Sequence, residues 1–147
     1  MSKTNTWESD LILLMFNNTN SSLHGDATGL RGSSTAGSYY VSLHTADPGE
    51  AGDQTTSEIA YTSYARVAVN RASGAGGFTC SAGTAAFASD VTFPTGSGGS
   101  GTATHFGIGC SSSGSGKLLY KGPLSPNVVC GSGVTPKINS GVVVTED

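Results

Sequence analysis

A chain of 147 residues is the length of one ordinary domain, and only 12% of this one is charged, against about a quarter in most globular proteins. Gly (22), Ser (22) and Thr (17) fill 61 positions; this excludes a mainly helical fold, because Gly is a poor helix former and Ser and Thr compete with the helical backbone for hydrogen bonds. Seven Lys and Arg against ten acidic residues, a net charge of −3, exclude the basic footprint of a nucleic-acid binder, and with recurring apolar clusters they argue against disorder.

The first predicted element is a short helix. Thr6 has the side chain of an N-cap, and Glu8 and Asp10 follow in the first turn, where the helix dipole favours acids. Trp7, Leu11, Leu14 and Met15 then fall at helical spacing, and the pattern stops at Asn17-Asn18-Thr19-Asn20. Residues 20–37 read as an irregular polar connection, long for a compact domain. Residues 1–37 are therefore expected to form a helix and connecting arm, ahead of a β-domain over 38–147. A Gly/Ser-rich tether gives such a helix reach, so the arm is expected to dock on a neighbouring molecule while 38–147 fold without it.

From Ser38 the period becomes two. Tyr39, Val41 and Leu43 point one way, and Tyr40, Ser42 and His44 the other. Asp47-Pro48-Gly49 is a turn, residues 50–60 a polar loop, and Tyr64–Asn70 alternates again. Short strands follow at Phe78–Ser81, Thr84–Phe87 and Val91–Phe93. After a low-complexity turn at 95–101 come Ala103–Gly109, Lys117–Lys121, Asn127–Cys130, Thr135–Ile138 and Val142–Thr145. The result is an all-β chain, an antiparallel β-sandwich of which a jelly roll is one form, with one short N-terminal helix.

Chemical motifs are weak. Gly96–Gly101 satisfies the dinucleotide-binding glycine string, but a strand follows where a helix is needed, so it reads as a hairpin loop. Ser42 or Ser111, His44 or His105, and Asp47 or Asp90 compose a triad on paper only, since no nucleophile elbow presents either serine. Both histidines read as structural or interface residues. Asp47, Glu50 and Asp53 share a loop and match no calcium-loop spacing, so they read as solvated acids. Cys80, Cys110 and Cys130 lie in or beside strands without a Cys-x-x-Cys pair, and read as buried free thiols. No catalytic residue, cofactor or metal site is expected. Tyr39, Tyr40, Tyr61 and Tyr64 are either core or an exposed contact patch.

The longest apolar run, Leu11–Phe16, is far short of the roughly 20 residues that cross a membrane. No basic segment precedes a longer apolar core, so a cytoplasmic site of synthesis is expected and the sequons at Asn17 and Asn20 read as chance.

One longer similarity exists. Tyr40-Val41-Ser42-Leu43-His44-Thr45-Ala46-Asp47-Pro48-Gly49-Glu50-Ala51-Gly52, continuing to Tyr64–Val69, resembles a family of small tailed-bacteriophage virion proteins. Val91-Thr92-Phe93-Pro94, Ala103–Gly109, Leu118–Leu124, Gly133–Pro136 and the Val142–Asp147 end are similar as well. The resemblance covers about residues 38–147, and its motifs are fold motifs without a catalytic signature. It implies a virion component: a capsid decoration (cement) protein binding the major capsid protein on the capsid surface, or alternatively a tail or tail-fibre-associated protein.

Small size, low charge and the lack of a fibrous repeat favour decoration; a carbohydrate-binding module is a further alternative. Trp7, Leu11, Leu14, Met15, Tyr40, His44, Tyr61 and Tyr64 are the candidate partner contacts. A homo-oligomer is expected, with neither nucleic acid nor membrane as partner.

Overall fold

The computed structural model describes residues 2–26 and 28–145. It is an all-β protein with one short helix: 41% of the chain is strand, in antiparallel sheets, and 8% is helix. Of the Val142–Asp147 end, Glu146 and Asp147 lie outside the described residues.

The elements are α1 (Asn5–Phe16), β1 (Ser38–His44), β2 (Val67–Asn70), β3 (Phe78–Ser81), β4 (Thr84–Phe87), β5 (Val91–Thr92), β6 (Ser100–Gly109), β7 (Leu118–Gly131), β8 (Lys137–Ile138) and β9 (Val143–Thr145). They form a four-stranded sheet in the order β2-β1-β6-β7, a three-stranded sheet β3-β4-β9 and a two-stranded ribbon β5-β8. The chain divides into two units, one of Met1–Ser38, Val69–Asp90 and Asn139–Asp147, the other of Tyr39–Ala68 and Val91–Ile138.

The first unit is built on α1 and the three-stranded sheet. The helix begins earlier than expected: its N-cap is Thr4, whose hydroxyl accepts the Trp7 N–H at 3.5 Å, so Thr6 lies inside the first turn. The buried side of the helix also differs from the expected stripe. Ile12 and Phe16, one turn apart, are the buried pair, while Trp7, Leu11, Leu14 and Met15 are only half-buried. Phe16 meets Phe78 edge-on at 4.8 Å, and Phe78 lies 5.5 Å from Phe87 across the β3–β4 pair. At the helix C-terminus, carbonyls left without intrahelical donors are taken by Arg71, whose guanidinium donates to Met15 O at 2.7 Å and Leu14 O at 3.0 Å. The same group donates to Ala36 O at 3.1 Å, tying down the end of the 17–37 connection.

In the second unit β1 pairs with β6 residue for residue, Tyr40 opposite Gly109 through His44 opposite His105. The two strands expected at Lys117–Lys121 and Asn127–Cys130 are one strand, β7. Its ladder with β6 nevertheless has two parts: Ala103 faces Val128 while His105 faces Pro123, so residues 124–127 loop out and Leu124 is buried. Strand β6 starts at Ser100, inside the expected turn. Val41, Leu43, Ile59, Phe93, Ala103, Phe106 and Ile108 form the apolar core of this unit.

Candidate functional site

The second face of β1 departs most from the expected pattern. Tyr40, Ser42 and His44 were expected on its more polar side, yet from Val41 onward every residue of the strand is buried. The cover is the polar loop after the strand. Its return limb pairs with the strand end: Thr45 N donates to Ser57 O at 2.8 Å and Ile59 N to Leu43 O at 2.9 Å. Within that loop Gln54 has no exposed surface. Its amide donates to Tyr40 O at 3.3 Å and accepts the Ser111 N–H at 2.9 Å, and its backbone N–H donates to Gly116 O at 3.0 Å.

His44 is fully buried beneath the same loop. Its Nδ1 lies 2.8 Å from Thr56 O, a carbonyl that can only accept, so Nδ1 carries the proton. Nε2, 2.8 Å from Ser42 Oγ, is then the acceptor of the serine hydroxyl in the neutral ring. Burial holds the imidazole below its ordinary pKa, against the raising effect of the Thr56 bond. Gly107 sits opposite Ser42 in the ladder, and a Cβ there would come within 2.8 Å of His44 Nε2 and 2.9 Å of Ser42 Oγ. Small residues on β6 thus make room for polar side chains on β1.

Beside this pair lies a partly buried ion pair. Arg66 Nε donates to Glu58 Oε1 and Arg66 Nη2 to Glu58 Oε2, each at 2.7 Å, with only 3% of the arginine side chain exposed. The remaining donors reach Ser111 O at 3.0 Å and Gly114 O at 2.8 Å, fixing the glycine-serine loop 110–116. The Glu58 bond raises the Arg66 pKa further. Tyr64 donates its hydroxyl to Glu58 at 2.9 Å while accepting Leu43 N–H at 3.1 Å; burial raises its pKa well above the usual phenol range.

Ser42 and His44 come within hydrogen-bond distance, as a nucleophile and its base would. Both are fully buried, however, and the third partner is the Thr56 carbonyl where a triad has a carboxylate. Asp47 faces Lys121, at 3.0 Å, and Asp90 accepts the Ser140 N–H within the first unit. The arrangement orders a loop and gives a substrate no approach to the serine oxygen.

Two of the expected partner contacts lie in the interior. His44 has no exposed surface and Tyr61 only 3%, the latter donating its hydroxyl to Pro94 O at 2.7 Å and packing on Tyr64 at 5.4 Å. Both are interior because the 53–61 segment folds back over β1. Tyr40 and Tyr64 are half-buried, and Trp7 lies 4.4 Å from His24. The residues missed in the sequence are Gln54, Glu58 and Arg66. For Gln54 the sequence signal is the pair of glycines at 109 and 116, since Cβ atoms there would overlap its side chain.

The acidic loop is solvated as expected. Asp47 and Glu50 both contact Lys121, at 3.0 and 3.1 Å, beside an open groove of about 270 Å³ lined by Gly49, Gly52 and Leu118–Lys121. Asp53 instead accepts Thr55 N–H and hydroxyl at 2.8 and 2.6 Å. Among the described residues no three His, Cys, Asp or Glu are grouped to hold a metal, and no helix is long and apolar enough to cross a membrane. All three cysteines are free, but Cys110 is exposed where a buried thiol was expected. It falls just after β6, beyond the cover of the sheet.

A family model described as "Podophage GP4 fiber I protein gp80" matches residues 4–146 of the chain. No curated protein matches it. The match includes the helix and the 17–37 connection, which the resemblance read from the sequence did not reach.

Proposed function

The chain belongs to this podophage fibre protein family and is a phage structural virion protein; from that premise we propose that it is a non-enzymatic component of the tail-fibre apparatus. The observation that carries the reading is the match itself, which runs over nearly the whole chain and bears the word fibre. The buried network supports it in kind. Ser42, His44, Gln54, Glu58 and Arg66 are spent on holding loops to a sheet, as suits a part that must keep its shape. Its partners are then tail proteins and further copies of itself.

Capsid decoration, with the major capsid protein as partner and the capsid surface as location, is the second reading. It is favoured by a short chain without internal repeat. A carbohydrate-binding module finds less support, because Tyr61 is buried and the Tyr64 hydroxyl is bonded inside the protein. Copy number per virion, by quantitative mass spectrometry of purified particles, separates the first two. A few to a few tens of copies, with antibody label at the tail in electron micrographs, are expected for a fibre component. Hundreds of copies and label over the head mean decoration.

A further inference from the structure

We propose that residues 53–57 form an acid-released flap over the β1–β6 sheet, latched by the imidazole of His44. The latch is geometric. One ring nitrogen is bonded to Ser42 of the ring's own strand, the other to Thr56 of the loop, and the space below is closed by Gly107. A proton added to this ring leaves the Nδ1–H bond to Thr56 O in place and turns Nε2 into a donor towards Ser42 Oγ, but it puts a full charge on a side chain with no exposed surface and no hydrogen-bonded carboxylate among the described residues. The loop that carries Thr56 can move away and hydrate the ring without breaking the β1–β6 ladder.

The charged and titratable groups around His44 do not remove that cost. Glu58 and Arg66 face it but are paired with each other at 2.7 Å, so their effects on the ring oppose one another. His105 of β6 stands opposite in register and is a second base of the same sign. Tyr64 gives its proton to Glu58 in a hydrogen bond and carries no charge near neutrality. Asp53 is turned to Thr55 and Thr56.

The flap has suitable pivots. Gly52 precedes it, and at its far end Ser57 holds φ +54°, a left-handed conformation that costs a non-glycine residue energy in the closed form. Beyond the pivot, Glu58 stays anchored by Arg66. When the flap lifts, Gln54 leaves the space above Gly109, and Ser42, His44 and the Tyr40 carbonyl become exposed together.

Hydrogen exchange by NMR between pH 7.5 and 5.5, corrected for intrinsic rates, tests this. The reporters are the amides of Gln54, bonded to Gly116 O, and Thr45, bonded to Ser57 O. They are expected to exchange faster than the Ile108 amide of the β1–β6 ladder at every pH. Below about pH 6.5, the ordinary value of the ring, their protection is expected to fall by up to tenfold per pH unit. The fall should persist in His105→Gln and vanish in His44→Gln. Reporters that exchange at the Ile108 rate throughout would overturn the proposal, since the ring would then be reached only by global unfolding; so would a pH dependence that survives in His44→Gln. Should that variant not fold, the His44 ring signals of the wild type decide. A ring that takes up its proton while Gln54 and Thr45 stay protected overturns the latch.

Discussion

Gly109 of β6 and Gln54 of the loop after β1 occupy one space. A Cβ at position 109 would stand within 2.6 Å of both Cγ and Nε2 of Gln54, a side chain with no exposed surface. Gly109→Ala is therefore expected to displace Gln54 from Tyr40 O and Ser111 N, at a cost of about 1–3 kcal/mol for overpacking. The midpoint of thermal unfolding should drop by roughly 2–4 °C per kcal/mol. Restoring space with Gln54→Ala in the same chain should recover part of the loss. An additive double mutant would show that the two residues do not share the space.

The Glu58–Arg66 pair carries a separate effect. Arg66→Met keeps most of the apolar stem but leaves the Ser111 and Gly114 carbonyls without the guanidinium donors and the Glu58 carboxylate with the Tyr64 hydroxyl but no cation. The pair is partly buried, so the cost should fall between the roughly 1 kcal/mol of an exposed pair and the roughly 3–5 kcal/mol of removing one partner of a buried one. Urea unfolding should show the unfolding free energy falling by that amount, read as a lower midpoint at unchanged slope. A loss below about 1 kcal/mol, the worth of an exposed pair, would mean that water reaches Glu58 freely.

How far these features were legible follows from where the cover of each residue comes from. Strands β1, β3 and β4 could be read to the residue, because alternating side chains and turn glycines are local signals. The burial of Ser42 and His44 was not legible. Their cover is a polar loop, and no apolar pattern marks a loop that folds back. The helix failed in another way: Leu11–Phe16 is apolar at all six positions, so spacing alone could not choose between the Leu11/Leu14/Met15 side and the Ile12/Phe16 side. That choice was made by Phe78, 62 residues further along the chain. The partition of β7 was half legible, since each half pairs separately with β6 and only the looped residues 124–127 join them.

Stability should depend on pH through His44. Its folded pKa is depressed by burial, so the unfolded chain binds this proton more readily. The stabilisation is fully present above the unfolded value of about 6.5 and is lost as pH falls from there toward the folded value. The slope cannot exceed about 1.4 kcal/mol per pH unit for one group. Urea midpoints between pH 7.5 and 5 should fall for the wild type and fall less for His44→Gln. A midpoint that rises on acidification would reverse the sign argued here.

The cysteines should separate by reactivity. Cys110 is exposed, whereas burial pushes the Cys80 thiol up to about 11 and raises that of Cys130, leaving little thiolate at pH 8. Native protein is expected to take up one alkylating group quickly, at Cys110 by peptide mapping. Denatured, unreduced protein should take up three. Fewer than three would reveal a disulfide.

The N-terminal segment offers a choice between two behaviours. A polar connection of this length favours an arm that reaches a neighbour, with residues 38–147 folding alone. The packing favours the opposite, because Ile12 and Phe16 are covered within their own unit and Arg71 is bonded to Leu14, Met15 and Ala36. Phe16→Ala should cost about 3–5 kcal/mol, the usual range for a buried phenylalanine. That is a large share of a total stability of about 5–15 kcal/mol. A chain beginning at Gly37 loses both residues, leaves Phe78 without its edge-on partner, and frees the Arg71 guanidinium from two helix carbonyls. Its amide spectrum is expected to lose the dispersed signals of Phe78–Phe87, and thermal unfolding should lose cooperativity. If those signals keep their positions, the sheet β3-β4-β9 stands without the helix. The half-exposed Trp7, Leu11, Leu14 and Met15 would then be free to serve as attachment to another molecule, and sedimentation of the truncated and full chains would show whether they do.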